Sequence, residues 1–236
     1  MPWSVFVANL PYLLVGAFPQ GPLGGAALTL VLAAASALVS AVLGLGIALA
    51  MAGRITRTAL LVVIGFFRAI PVLMLIFWTY FLLPVLFHMD VPGLVAVVWA
   101  LSLIGGAYLA HSVHAGIVAV GEAQWQAGLS LGLTRFAALR HVVLPQAIRI
   151  MAPSFVNQWV SLVKDTSLAY IVGVGELSFV ATQVNNRLMV YPIPVFLFVA
   201  ALYLVMCTAL DRAAMAWLVR RCRVPGAHFE ARAAVN

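Results

Sequence analysis

Apolar residues run along this chain in blocks too long and too continuous for the core of a water-soluble domain. No charged residue occurs before Arg54, and the run from Leu23 to Ala52 is unbroken. A helix needs about 20 such residues to cross the hydrocarbon layer of a bilayer. The pattern predicts five spans, over about 23–52, 59–87, 94–120, 150–170 and 193–218. The second is interrupted by Arg68 and Pro71. The earlier piece, Trp3 to Phe18, ends in the breaker cluster Pro19–Gly21–Pro22 and reads as an interfacial segment within 1–20. The stretch 122–149 is too mixed to cross lipid, and a loop or short helix is expected over 172–192.

Composition turns this pattern into a class. The chain is 65% hydrophobic and 8% charged, whereas a soluble domain carries about 25% charged residues. The expectation is an all-α integral membrane protein, one domain over 1–236, with about five transmembrane helices facing lipid. The net charge of +7 does not point to nucleic acid, because the charges sit in short clusters between apolar runs. Arg54, Arg57, Arg135, Arg140, Arg149, Arg220, Arg221 and Arg223 fall on one side of the five-span plan, and Arg187 falls on the other. The basic side is expected in the cytoplasm, which puts the N-terminus outside and the C-terminus inside a bacterial inner membrane. The N-terminal apolar stretch follows no basic region and does not read as a cleaved signal. Cys207 lies in an apolar run and Cys222 in the basic tail, so neither a disulfide nor a metal site is expected.

The cytoplasmic stretch carries the most specific pattern. It reads Gln126-Ala127-Gly128, three residues, Gly132, nine residues, Val142, one residue, then Leu144-Pro145. Physically this is two short helices around a break: Gly132 permits a sharp turn, Thr134 can cap the second helix, and Pro145 limits continuation. The first helix offers Ala and Leu with few charges, a surface that makes sense under a partner. In this spacing the chain resembles the permease subunits of bacterial ABC importers, in particular the polar amino acid branch. The leading Glu and second Ala of that motif are replaced by Gln126 and Gly128. Further points of resemblance are Phe67-Arg68-Ala69-Ile70-Pro71, Ala107-Tyr108 and Lys164-Asp165-Thr166-Ser167-Leu168. The resemblance spans about Leu23 to Leu218. It implies a cytoplasmic ABC ATPase docking on Gln126, Ala127, Gly128, Gly132, Leu144 and Pro145, and a periplasmic protein delivering an amino acid. It also implies a second permease, this chain or a paralogue, since five helices enclose little volume.

One observation independent of the resemblance agrees. Lys164 is the only lysine, so no Gly-rich phosphate loop ending in Gly-Lys-Ser/Thr exists here. ATP and Mg are therefore expected in the partner ATPase, with no cofactor on this chain and no catalytic residue of its own.

Ionisable groups within a span cost a few kcal/mol on insertion scales unless paired or hydrated. An amino acid carries a carboxylate and an ammonium, which Arg68 and Asp165 could meet; the resemblance places the acidic position near the substrate pathway. The alternative is structural, with Arg68 capping carbonyls freed by Pro71 and Asp165 making a polar contact beside Lys164. Tyr108, Thr166 and Ser167 offer hydroxyls at membrane depth, for substrate or for neighbouring carbonyls. His111 and His114 lie three apart where related permeases carry Glu and Arg. Two histidines without a nearby acidic or Cys cluster read as packing or cavity-lining residues. Loss of that acid leans the reading toward acidic or amide amino acids. A secondary transporter would need coupling-ion ligands and an internal repeat, neither of which is evident; a non-transporting scaffold leaves Arg68, Asp165 and the apolar loop unexplained.

Overall fold

The computed structural model describes residues 3–51, 54–188 and 192–221. Among these, eleven α-helices are joined by two π-helical stretches and one 3-10 segment. The N-terminal helix α1 spans Trp3–Val15 and α2 spans Gly25–Ala50. They are followed by α3 (Arg54–Ala69), α4 (Val72–Phe77) and α5 (Leu83–Phe87), then by α6 (Gly93–Ala119). The polar stretch forms α7 (Glu122–Ser130) and α8 (Arg135–Ala138), leading into α9 (Leu144–Asp165). A 3-10 segment, Thr166–Val172, leads to α10 (Leu177–Leu188) and α11 (Pro192–Arg221).

Among the described residues, three helices are long and apolar enough to cross a membrane: α2, α6 and the Pro192–Leu218 part of α11. The expected second span is a broken one. Its two halves, Thr56–Ala69 and Val72–Phe87, meet at 100°. Proline supplies the reason: Pro71 has no N–H, disfavours helix at Ile70, and itself sits extended at φ −58°, ψ 135°. The fourth expected span also differs from the sequence reading. Its helix begins at Leu144 rather than near Ile150 and closes at Asp165, with the remainder to Tyr170 in the 3-10 segment. It is long enough to span but too polar to pass on apolarity, because one face carries serine, amide and carboxylate groups.

Pro145 does not end a helix as expected. It stands in the first turn of α9, directly after the π-helical stretch Leu139–Val143. Pro84 stands in the same relation to the π-helical stretch Trp78–Leu82. In each case the missing proline N–H and its ring disturb the preceding turn, and a one-turn π-bulge lets the chain continue helical.

The two largest of three apolar clusters among the described residues organise the packing. The larger joins Leu28 and Leu32 of α2, Leu75 and Ile76 of α4, Val97 and Leu101 of α6, and Leu162 of α9. Close approach of α2 and α6 requires small residues: a Cβ added at Gly44 or Gly105 would lie 2.7 Å from Leu109 Cβ or 2.8 Å from Ser40 Cβ. The second cluster joins Leu13 of α1, Leu177, Val180 and Val184 of α10, and Val195 and Val199 of α11. The expected interfacial segment is a helix packed against α2 and α10, its Leu13 joining the cluster that α10 shares with α11.

Candidate functional site

Where α4, α6 and α9 meet, a cavity of about 490 Å³ opens. Val72, Ile104, Tyr108 and Ser112 form one wall. The other wall comes entirely from α9: Ser154, Asn157, Gln158, Ser161 and Asp165. Positions 154, 158, 161 and 165 are four, three and four apart, the spacing of one helix face. That stripe was present in the sequence as a polar face within an otherwise apolar segment. It passed unnoticed because single charges drew attention instead.

The expected path residues divide on inspection. Tyr108 and Asp165 line the cavity. Arg68 joins it through Tyr108, its guanidinium carbon lying 4.9 Å from the ring centroid, a cation–π arrangement. Thr166 is fully buried, and its hydroxyl donates at 2.7 Å to the Val163 carbonyl in the last turn of α9. Neither Ser167 nor His111 is among the cavity-lining residues. His114 sits 3.1 Å through Nε2 from an Arg57 guanidinium nitrogen. Among the described residues no group of three or more His, Cys, Asp or Glu is placed to hold a metal ion.

The loop from α7 to α8 is built as its sequence dictates. Gly132 adopts φ +79°, a conformation that glycine reaches without cost. The Leu133 N–H donates to the Gly128 carbonyl at 3.2 Å and the Gly132 N–H to the Leu129 carbonyl at 2.9 Å. This pair of bonds is the Schellman closure of a helix C-terminus. Thr134 then starts α8, its hydroxyl accepting from the Ala137 N–H at 3.2 Å. The motif's glycine at 128 also has a reason: an added Cβ would sit 3.1 Å from Ala138 Cβ, where α7 packs on α8. Gln126 donates to Glu122 at 3.0 Å, and Gln146 of α9 donates to Gln124 at 3.3 Å, tying α9 back to α7. Ala127 is exposed, Leu144 half-buried and Pro145 exposed. At the tip, Leu131 is 82% and Phe136 70% exposed, two large apolar side chains that no described residue covers.

At the opposite end of α9's partner helices, Glu176 caps α10. Its carboxylate accepts from the Ser178 N–H at 2.9 Å, the Phe179 N–H at 3.0 Å and the Tyr203 hydroxyl at 2.9 Å. Burial pushes this carboxyl up to about 7, against the opposing pull of those same donors. Sequence reasoning missed this group, which lies outside the predicted spans.

Known proteins resemble this chain in sequence and in fold. Residues 40–224 match the family described as the binding-protein-dependent transport system inner membrane component. The glutamine transport system permease protein GlnP of Escherichia coli K12 is 34% identical over 180 residues, 75% of this chain and 78% of that protein. The L-cystine transport system permease protein TcyB of Bacillus subtilis is 32% identical over 219 residues, 88% of this chain and 93% of that one. Among solved structures, an amino acid ABC transporter crystallised with histidines superposes with a TM-score of 0.82 at 26% identity, covering 93% of this chain and 99% of that chain. With a family match over most of its length, the chain belongs to the inner-membrane components of binding-protein-dependent transport systems.

Proposed function

We propose that this chain is the transmembrane subunit of an ATP-driven importer for polar amino acids, with glutamine, glutamate and aspartate as the favoured class. The observation that carries the reading is the cavity walled by Tyr108, Ser112, Ser154, Asn157, Gln158, Ser161 and Asp165. Polar groups at membrane depth are costly unless they serve a polar or water-filled path. Asp165 takes the substrate ammonium and Arg68, braced on Tyr108, takes the carboxylate. Asn157 and Gln158 leave amide groups for the side chain. Glutamine and cystine are the cargoes named for two relatives, in keeping with a polar substrate.

The rest of the machine follows from what the chain leaves open. Ser154 and Asn157 are exposed on the free side of the cavity, so a second permease, a copy or a paralogue, closes it. A periplasmic binding protein delivers the amino acid on the outer side. The α7–α8 tip docks on cytoplasmic ATPase subunits, which hold ATP and Mg, through Leu131 and Phe136 alongside the motif residues. The N-terminus then lies outside and the C-terminus inside.

The test is Asp165→Asn in a complex reconstituted with its ATPase and binding protein. Uptake of L-glutamine and L-glutamate should fall at least about tenfold, with assembly and basal ATPase activity kept. A tenfold loss corresponds to about 1.4 kcal/mol, modest for one charged hydrogen bond. Unchanged uptake with reduced complex yield would make Asp165 structural and end its substrate role.

A further inference from the structure

Beyond the cavity, α3 and α6 carry a row of cation-capable side chains, of which the cavity reading uses only Arg68. Arg68 lies over Tyr108 at one end. Arg57 meets His114 at 3.1 Å at the other. His111 stands between them on α6, half-buried and three positions from both Tyr108 and His114, so that the three share one helix face. Arg57 and Arg68 are both exposed. Among the described residues no carboxylate lies within 4.0 Å of either guanidinium. A guanidinium has donors only, so His114 Nε2 must accept from Arg57 and the imidazole is neutral there, its proton on Nδ1. Arg57 therefore keeps its full charge and has guanidinium donors left over for another group.

The polarity of the row has a direction. Asp165 closes α9 and lines the cavity. Tyr108, His111 and His114 descend α6 toward its end at Ala119, which leads into the α7–α8 loop. Asp165 thus lies at the cavity end, Arg68 links the cavity to the row through Tyr108, and the two imidazoles and Arg57 continue it toward the other end. In a low-dielectric wall such an arrangement concentrates anions strongly. An unpaired arginine at membrane depth also calls for a polar partner or water.

We propose that Arg68, His111, His114 and Arg57 form a release track for the substrate carboxylate, with the Arg57–His114 pair as a second carboxylate station between the cavity and the cytoplasm. The amino acid leaves carboxylate-first: its carboxylate passes from Arg68 to Arg57 while its ammonium parts from Asp165. This rests on the substrate reading of the cavity and on the inward orientation of the α7–α8 loop.

The experiment reads the field of the track without requiring transport. In the full complex, with Cys207→Ser and Cys222→Ser as background, Ser112→Cys places a thiol in the cavity wall. Inside-out membrane vesicles expose the cytoplasmic side to an anionic methanethiosulfonate (sulfonatoethyl) and a cationic one (trimethylammonioethyl). The anionic reagent should react faster, and Arg57→Gln should lower the anionic-to-cationic rate ratio about tenfold, the low end of such focusing effects. Arg57→Lys, which keeps the charge, should hold the ratio near its starting value and so separates charge from folding. A ratio unmoved by Arg57→Gln overturns the track and turns Arg57 outward, toward lipid headgroups. Failure of the substrate reading looks different: the ratio falls with Arg57→Gln while Asp165→Asn leaves amino acid uptake intact.

Discussion

Where α1, α10 and α11 meet, Leu13 and Leu177 are completely buried and Glu176 has three donors on its carboxylate. Where α7 turns into α8, Leu131 and Phe136 stand 82% and 70% exposed on a turn fixed by a left-handed glycine, its Schellman bonds and a threonine cap. Glu176 and the α7–α8 turn both lie outside the apolar spans, yet the first region is satisfied among the described residues and the second is not. Burial within one chain is the signature of a brace. Ordered backbone presenting uncovered apolar side chains is the signature of a docking surface. The difference predicts that damage at the first region reads out as stability and damage at the second as coupling.

The sharpest way to break that comparison is Gly132→Asp. No atom lies within 4 Å of where a Cβ at 132 would sit, so the substitution meets open space within the chain. The left-handed φ costs a non-glycine residue about 1 kcal/mol, too little to unfold a membrane bundle. The new carboxylate would nonetheless project from the turn that presents Leu131. The reconstituted complex should insert and fold, melt within a few degrees of the parent, and lose substrate-stimulated uptake nearly completely. Normal uptake would remove the turn from coupling.

The loop was legible because its chemistry is local. A Schellman turn and a threonine cap each need particular residues within a few positions, so Gly132 and Thr134 announce themselves in order along the chain. The broken second span was half legible: Pro71 marked the interruption, but the 100° bend depends on what α3 and α4 pack against. The cavity was less so. Asp165 and Tyr108 stood out as odd residues in apolar runs, but Ser154, Asn157, Gln158 and Ser161 matter only as a face, and only α6 opposite makes that face a wall. Pro145 was misread because a proline forbids a regular turn before it, not a helix. The π-helical stretch at Leu139–Val143 resolves that conflict by a route no single residue advertises. Glu176 was invisible for the converse reason: its donors Ser178 and Phe179 are adjacent, but its burial depends on Tyr203, 27 residues away.

A smaller effect, opposite in kind, is expected at the brace. Leu177 is fully buried among Leu13, Val180, Val184 and Val195. Leu177→Ala should destabilise the chain by about 2–5 kcal/mol, the usual cost of a buried leucine-to-alanine cavity. The complex should therefore melt markedly lower while the fraction that remains folded couples ATP hydrolysis to uptake normally. Thermal unfolding in detergent beside uptake per folded complex measures both. A full-yield, normally melting complex with uncoupled ATPase would mean that the brace also transmits the coupling signal, and the contrast between the two ends would collapse.

The smallest effect sharpens the contrast within the brace itself. Glu176 is raised from an ordinary 4.5 to about 7, first by burial, with the Ser178 N–H, the Tyr203 hydroxyl and the Phe179 N–H pulling the other way. A carboxyl with a folded-state value above its unfolded one binds its proton more tightly when folded. Its contribution to stability is therefore complete below about 4.5 and is lost as pH rises through about 7. The parent complex should melt at a lower temperature at pH 8 than at pH 5.5. Glu176→Gln keeps an oxygen to accept from one backbone N–H but cannot ionise, so its melting temperature should change less over the same interval. The α7–α8 loop supplies the internal control: Gly132→Asp should keep the parent's pH profile, because its turn is remote from Glu176. Equal pH dependence in the parent and Glu176→Gln would show that the carboxylate stays ionised throughout, its three donors outweighing burial.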